Sequence, residues 1–179
     1  GVCFKREEVE AVIRAATGIV VVDEAYGAFH HDSFLPWAGE VENLVVMRTI
    51  SKIGFAGLRM GYAAASPSIM GELAKILPPY NMNQLSLAAA KFSLKHHPII
   101  QQNIDTLKNE RSRVMNELSK LNRLEVFPSE ANFITVRVPD ANELFETLKQ
   151  NRILIKKLHG SHPLLDQCVR ITKIGRAHV

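Results

Sequence analysis

The chain has 179 residues, 46% hydrophobic and 22% charged, with 22 basic against 18 acidic residues for a formal net charge of +4. That length allows one domain or two small ones, the composition is that of an ordinary globular protein, and the interleaved charges, with no basic run carrying aromatics, argue against a nucleic-acid partner. No apolar run is long enough to span a bilayer, no charged-then-apolar segment opens the chain, and two cysteines, Cys3 and Cys168, are too few for a disulfide scaffold; a cytoplasmic protein with no membrane partner is the expectation.

Helical spacing of Val9, Val12, Ile13 and Ala16 predicts a helix over residues 5–17, with Gly18 as its C-terminal cap. Residues 19–22 are a β-branched run of the kind buried on both faces of a parallel sheet, and the run ends in Asp23-Glu24-Ala25-Tyr26. A loop over 27–40 carries Pro36 and Gly39, residues 43–47 predict a second buried strand, and 61–65 a third short apolar segment. Pro67 opens a helix toward Leu77, Pro78-Pro79 breaks it, and 84–95 predict another. Pro98 opens a long amphipathic helix to Leu121, with Ile100, Ile104, Leu107, Val114 and Leu118 among its apolar positions. Beyond it, 124–127 and 133–138 read as strands, 141–150 as a helix, and 153–155 and 169–172 as two more strands. The fold class is therefore α/β. Residues 1–97 are expected to form part of a larger domain, a mostly parallel sheet flanked by helices. Residues 98–179 are expected to form a smaller α+β domain, entered through the long helix.

The stretch with the densest chemistry is Arg48-Thr49-Ile50-Ser51-Lys52-Ile53-Gly54-Phe55-Ala56-Gly57-Leu58-Arg59-Met60-Gly61-Tyr62. A lysine amine can bind an aldehyde, and an arginine seven residues on can hold a phosphate; together those two uses describe a pyridoxal phosphate site. Such a site also needs a carboxylate to keep the pyridine nitrogen protonated, and a phenol can bond the ring oxygen. Asp23 and Tyr26 qualify, because in open α/β sheets ligands bind outside the carboxyl ends of the strands. Thr49, Ser51 and Arg59 are the candidates for the phosphate, hydroxyls beside a planar guanidinium fork. Gly54, Gly57 and Gly61 allow tight turns and close backbone approach. Singly, each residue has an ordinary reading: a solvated lysine, a turn-forming aspartate, a half-buried tyrosine, hydroxyls capping a turn. The combination, in this order, does not.

Asp23-Glu24-Ala25-Tyr26, Ser51-Lys52 and Gly57-Leu58-Arg59-Met60-Gly61-Tyr62 resemble the fold-type I pyridoxal phosphate-dependent aminotransferases. Along almost the whole chain the sequence is most similar to the histidinol-phosphate aminotransferase family. That resemblance implies a Schiff base on Lys52, pairing of Asp23 with the pyridinium, contact of Tyr26 with the ring oxygen, and a phosphate held by Ser51 and Arg59. It implies that Arg170, in Cys168-Val169-Arg170-Ile171-Thr172, grips the substrate's carboxylate or phosphate; alone it reads as a surface strand arginine. Where the family has a second arginine, after an Ile-Leu-rich strand, this chain has Lys156, which keeps the charge and loses the fork. Asn132 either faces the substrate or shapes a turn.

The resemblance further implies transamination between histidinol phosphate and 2-oxoglutarate, in histidine biosynthesis, by a homodimer whose partner subunit donates a tyrosine. Gly1 matches the last residue of the family's Asn-Pro-Thr-Gly motif, so a C-terminal half of an enzyme, inactive alone, is the expectation. Residues 174–179 resemble no part of the family and read as non-native. An aromatic amino-acid aminotransferase and a phosphothreonine decarboxylase-like enzyme share the cofactor residues, and a truncated fragment acting only as a binding or structural module is the alternative outside enzymology. The adjacent pairs His30-His31 and His96-His97 point apart in regular structure, and no metal site is expected from them.

Overall fold

The computed structural model describes residues 1–172, in two compact units: Cys3–Ile104, and a second made of Gly1, Val2 and the chain from Asp105 onward. The hexapeptide 174–179 lies outside the described residues. Among the described residues no helix is long and apolar enough to cross a membrane.

In the first unit, helix α1 (Arg6–Ala15) packs on a three-stranded sheet ordered β1 (Val20–Asp23), β2 (Leu44–Thr49), β3 (Gly61–Ala65). Strands β1 and β2 run parallel, with Val20 opposite Leu44 and Asp23 opposite Met47. Strand β3 returns antiparallel to β2, with Arg48 opposite Tyr62 and Thr49 opposite Gly61. Side chains alternate between the faces of a strand, so Val20, Val22, Leu44 and Val46 meet Val9 and Ile13 of α1 and the loop residues Phe34 and Trp37. Leu44 and Val46 are fully buried there, each stabilising the fold by about 1.5–3 kcal/mol. Arg6 sits over the rings of Phe34 and Trp37, 4.7 and 5.0 Å from their centroids, and pairs with Glu10 and Asp32.

Two expectations about this unit are corrected. Gly18 does not cap α1: the helix ends at Ala16 in an extended conformation, and the carbonyls of Ile13, Ala16 and Gly18 are instead taken by the Asn43 side-chain amide at 3.1–3.4 Å. With its last carbonyls satisfied from the neighbouring strand, the helix needs no left-handed terminator. Nor is β1 buried on both faces. Val21 is 52% and Ile19 62% exposed, because α1 covers one face and, among the described residues, β1 is the outer strand.

Helices α2 (Pro67–Ile76) and α3 (Gln84–Lys95) follow; Asn83 caps α3 by accepting from the Ser86 N–H at 2.8 Å. Helix α4 (His97–Ser119) leads on toward the second unit, a four-stranded antiparallel sheet ordered β4 (Glu125–Val126), β5 (Phe133–Arg137), β7 (Cys168–Thr172), β6 (Lys156–Lys157). Ile134, Val136, Val138 and Val169 form its core with Val114, Met115 and Leu118 of α4 and Leu144 of α5 (Ala141–Gln150). Asp140 caps α5, accepting from the N–H groups of Asn142 and Glu143 at 2.9 Å. The strand expected over 153–155 is displaced to Lys156–Lys157. Arg152 turns the chain through a left-handed conformation (φ 61°), and Leu154 is left 80% exposed. The first register partner β7 offers is Arg170, opposite Lys156.

Candidate active site

The sequence candidates of the first unit gather where β1 and β2 end. Asp23 closes β1 on the face opposite α1, and its Oδ1 accepts from the Ala25 N–H at 2.9 Å. That short-range bond is the turn preference of aspartate, and it leads the chain into Tyr26. The Glu24 N–H bonds the Met47 carbonyl at 2.8 Å, carrying the β1–β2 pairing one residue past the strand. Lys52 lies on a single 3-10 turn, Ser51–Ile53, ended by Gly54 at φ 113°, a conformation that favours glycine. Its Nζ stands 5.2 Å from the centroid of the Tyr26 ring, within cation–π range.

Thr49 pins that turn. Its hydroxyl donates to the Met60 carbonyl at 3.0 Å and accepts from the Ser51 N–H at 3.1 Å. Arg59 follows on the same loop, exposed, with its backbone at φ 54° in the left-handed region. At Gly61 a Cβ would come within 2.9 Å of the Arg48 carbonyl oxygen, so the close pairing of β3 with β2 requires glycine. Tyr26 and Lys52 are thus brought together, Thr49 and Ser51 share the turn that carries Lys52, and Asp23 ends the neighbouring strand. The donor set of amine, carboxylate, phenol, hydroxyls and guanidinium suits a phosphorylated aromatic aldehyde.

In the second unit, Arg170 is central on β7 and stands opposite Lys156 on β6 and Thr135 on β5. Its guanidinium lies over the Phe133 ring, 5.1 Å from the centroid. Its Nε is buried with no hydrogen-bond partner among the described residues. A buried guanidinium N–H without an acceptor carries a desolvation cost, which an incoming anion would relieve. The turn at Asn132 is built by its neighbours. The Ser129 hydroxyl accepts from the Ala131 N–H at 3.2 Å, and Arg111 donates to the Ala131 carbonyl at 2.7 Å. Burial holds the Arg111 pKa below its ordinary value, against the pull of Glu130.

Sequence reading passed over Glu24 and Arg48, which flank the candidates. The Glu24 carboxylate accepts from Arg48 Nε and Nη2 at 2.9 and 2.8 Å, from the Ser33 hydroxyl at 2.8 Å and from the Phe34 N–H at 2.6 Å. Burial works against the Arg48 charge, but Glu24 and then Tyr62 outweigh it and hold its pKa above the ordinary value. The signal was available in strand alternation: Glu24 and Arg48 each stand one residue from a candidate and so on the opposite face.

The family model described as aminotransferase class I and II matches residues 1–175. The chain is 71% identical over 172 residues to the histidinol-phosphate aminotransferase of Neisseria meningitidis serogroup C, an overlap of 96% of this chain and 47% of that protein. Among solved structures, the histidinol-phosphate aminotransferase from Clostridium acetobutylicum superposes with a TM-score of 0.84 at 26% identity, over 94% of this chain and 54% of that one. The Sinorhizobium meliloti histidinol-phosphate aminotransferase in complex with pyridoxal-5'-phosphate gives 0.83 at 25%, over 97% and 49%. The chain spans about half the length of the curated relatives it matches. With the family model running along nearly all of it, the chain belongs to the class I and II aminotransferases.

Proposed function

We propose that the protein to which this chain belongs is a pyridoxal phosphate-dependent aminotransferase that moves an amino group between histidinol phosphate and 2-oxoglutarate, in histidine biosynthesis, as a cytoplasmic homodimer. On this reading residues 1–97 belong to the larger, cofactor-binding domain and residues 98–179 to the smaller one. The observation that carries it is the Lys52 ammonium held over Tyr26, one strand from Asp23, in a chain whose 71%-identical relative bears that name.

When bound, pyridoxal phosphate supplies an electrophilic aldehyde and an electron sink. Lys52 is the amine that would hold the aldehyde carbon and, once released, the base that would carry a proton at the reacting carbon. Asp23 would hold the proton on the ring nitrogen by pairing with its charge, as a carboxylate beside a cation does. Tyr26 would donate to the ring oxygen. Ser51 would supply a hydroxyl for the phosphate and Arg59 a planar fork for its oxygens; Thr49 would join them by turning its hydroxyl from the Met60 carbonyl to which it now donates. Arg170, with Lys156 opposite, would take the substrate's anionic group, and Asn132 would add an amide beside Phe133. The Nε of Arg170, buried without an acceptor among the described residues, supports an anion there.

Adding pyridoxal phosphate to the full-length protein and recording visible absorption tests the cofactor half. A protein-bound band that is lost in Lys52→Ala is expected, and a band indifferent to that substitution overturns the reading. Comparing histidinol phosphate with phenylalanine as donors tests the substrate. A higher kcat/KM for histidinol phosphate is expected, and a preference for phenylalanine assigns the protein to the aromatic amino-acid aminotransferases instead.

A further inference from the structure

We infer that Glu24 and Arg48 are positioning residues: a clamp on the far face of the sheet that fixes, through the backbone, where Asp23, Tyr26 and Lys52 stand. The inference rests on the cofactor reading above but adds to it two residues that touch none of the candidate ligand groups.

The clamp follows from strand geometry. Successive side chains of a strand point to opposite faces. Asp23 and Thr49 therefore face one side, and Glu24 and Arg48 the other, where Val22 and Val46 also point toward α1. The Glu24 side chain is only 9% exposed, and both its oxygens are engaged, by the Arg48 fork, the Ser33 hydroxyl and the Phe34 N–H. Arg48 Nη2 donates to Ser33 as well, at 2.8 Å. Across the β2–β3 ladder stands Tyr62, which adds to the rise of the Arg48 pKa. One network thus ties three backbone segments. Glu24 lies between Asp23 and Tyr26, Arg48 immediately precedes Thr49 and the turn of Lys52, and Ser33 and Phe34 belong to the loop between β1 and β2. Two guanidinium N–H groups converge on one carboxylate oxygen of Glu24, Oε2, while the other oxygen takes the Phe34 N–H; such charge-assisted bonds are directional, so together they fix how the two strand ends stand to one another.

The clamp also accounts for a glycine. At Gly27 an added Cβ would lie 3.1 Å from Glu24 Cβ, 3.3 Å from Glu24 Oε2 and 3.6 Å from Arg48 Nη2. Gly27 thereby leaves the room in which the pair closes, and Gly27→Ala perturbs the clamp without removing either charge.

The test uses the full-length protein with Arg48→Lys, which keeps the charge and loses the fork, Glu24→Gln, and Gly27→Ala as the mildest variant should either of the others fail to fold. Backbone amide exchange without cofactor is read first, at residues 23–27 and 50–53. Faster exchange there, with residues 44–46 unchanged, is expected. The dissociation constant of pyridoxal phosphate and the visible circular dichroism of the bound cofactor are read next. Weaker binding by about tenfold, an altered dichroic band at saturation, and a kcat loss exceeding any change in KM are expected, because small misplacements of reacting groups cost about 10- to 100-fold. Variants that melt at a lower temperature yet keep native cofactor affinity, dichroism and kcat overturn the inference, leaving a purely structural ion pair. Should the native protein show no Lys52-dependent cofactor band, the cofactor reading falls by itself. The exchange measurement then still decides whether the clamp holds the two strand ends.

Discussion

Lys156 stands directly opposite Arg170 across the β6–β7 ladder, so two cations share one face of the second unit's sheet. They are not equivalent. Arg170 is braced over Phe133 and has a buried Nε without an acceptor among the described residues, whereas Lys156 is exposed. Arg170→Gln is expected to lower kcat/KM for the anionic donor about 10- to 100-fold, the worth of a charged hydrogen bond of about 1.5–3 kcal/mol. Lys156→Gln should cost a few-fold at most, as an exposed charge does. Steady-state kinetics of the full-length protein checks both, and an equal loss from the two would remove the distinction drawn between them.

Gly61→Ala should destabilise the first unit by about 1–3 kcal/mol, because the new methyl meets the Arg48 carbonyl, part of the backbone of β2. Gly57→Ala, where nothing lies within 4 Å, should change stability by less than about 0.5 kcal/mol. Urea denaturation curves of the two variants make the comparison.

Asn43→Ala removes the amide that satisfies the carbonyls of Ile13, Ala16 and Gly18. Leaving part-buried acceptors unmade costs about 1–3 kcal/mol. The loss should appear as a lower urea midpoint and as faster amide exchange in the last turn of α1 before any change elsewhere.

Arg59 holds a left-handed backbone (φ 54°) that glycine adopts freely. Arg59→Gly should therefore raise stability by about 1–2 kcal/mol while weakening pyridoxal phosphate binding. A thermal melt and a cofactor titration on the same preparation read the two effects. A variant that is more stable and binds as well as the native protein would dismiss Arg59 as a phosphate ligand.

Much of this was legible in the sequence because local and tertiary preferences agree. The spacing of Val9, Val12, Ile13 and Ala16 gave α1, the β-branched run before Asp23 gave β1, and the prolines at 67 and 98 marked helix starts. What stayed hidden depended on partners distant in sequence. Gly18 looked like a cap because the amide that replaces it lies on Asn43. Residues 153–155 looked like a strand because of their side chains, but register with Arg170 selected the two lysines that follow. The antiparallel return of β3 is also not written in five small residues. At the candidate site, residue types name Lys52, Asp23 and Tyr26 as candidates, whereas Glu24 and Arg48 became visible only once β1 and β2 were paired.

The open side of β1 has a consequence for anyone who handles the chain by itself. Among the described residues it is an outer strand whose uncovered face carries Ile19 and Val21. Unpaired strand edges flanked by apolar side chains template edge-to-edge aggregation. The separately expressed chain should therefore pass from monomer to soluble aggregate as its concentration rises, and a lysine at position 21, where the side chain points to solvent, should delay that passage in light scattering.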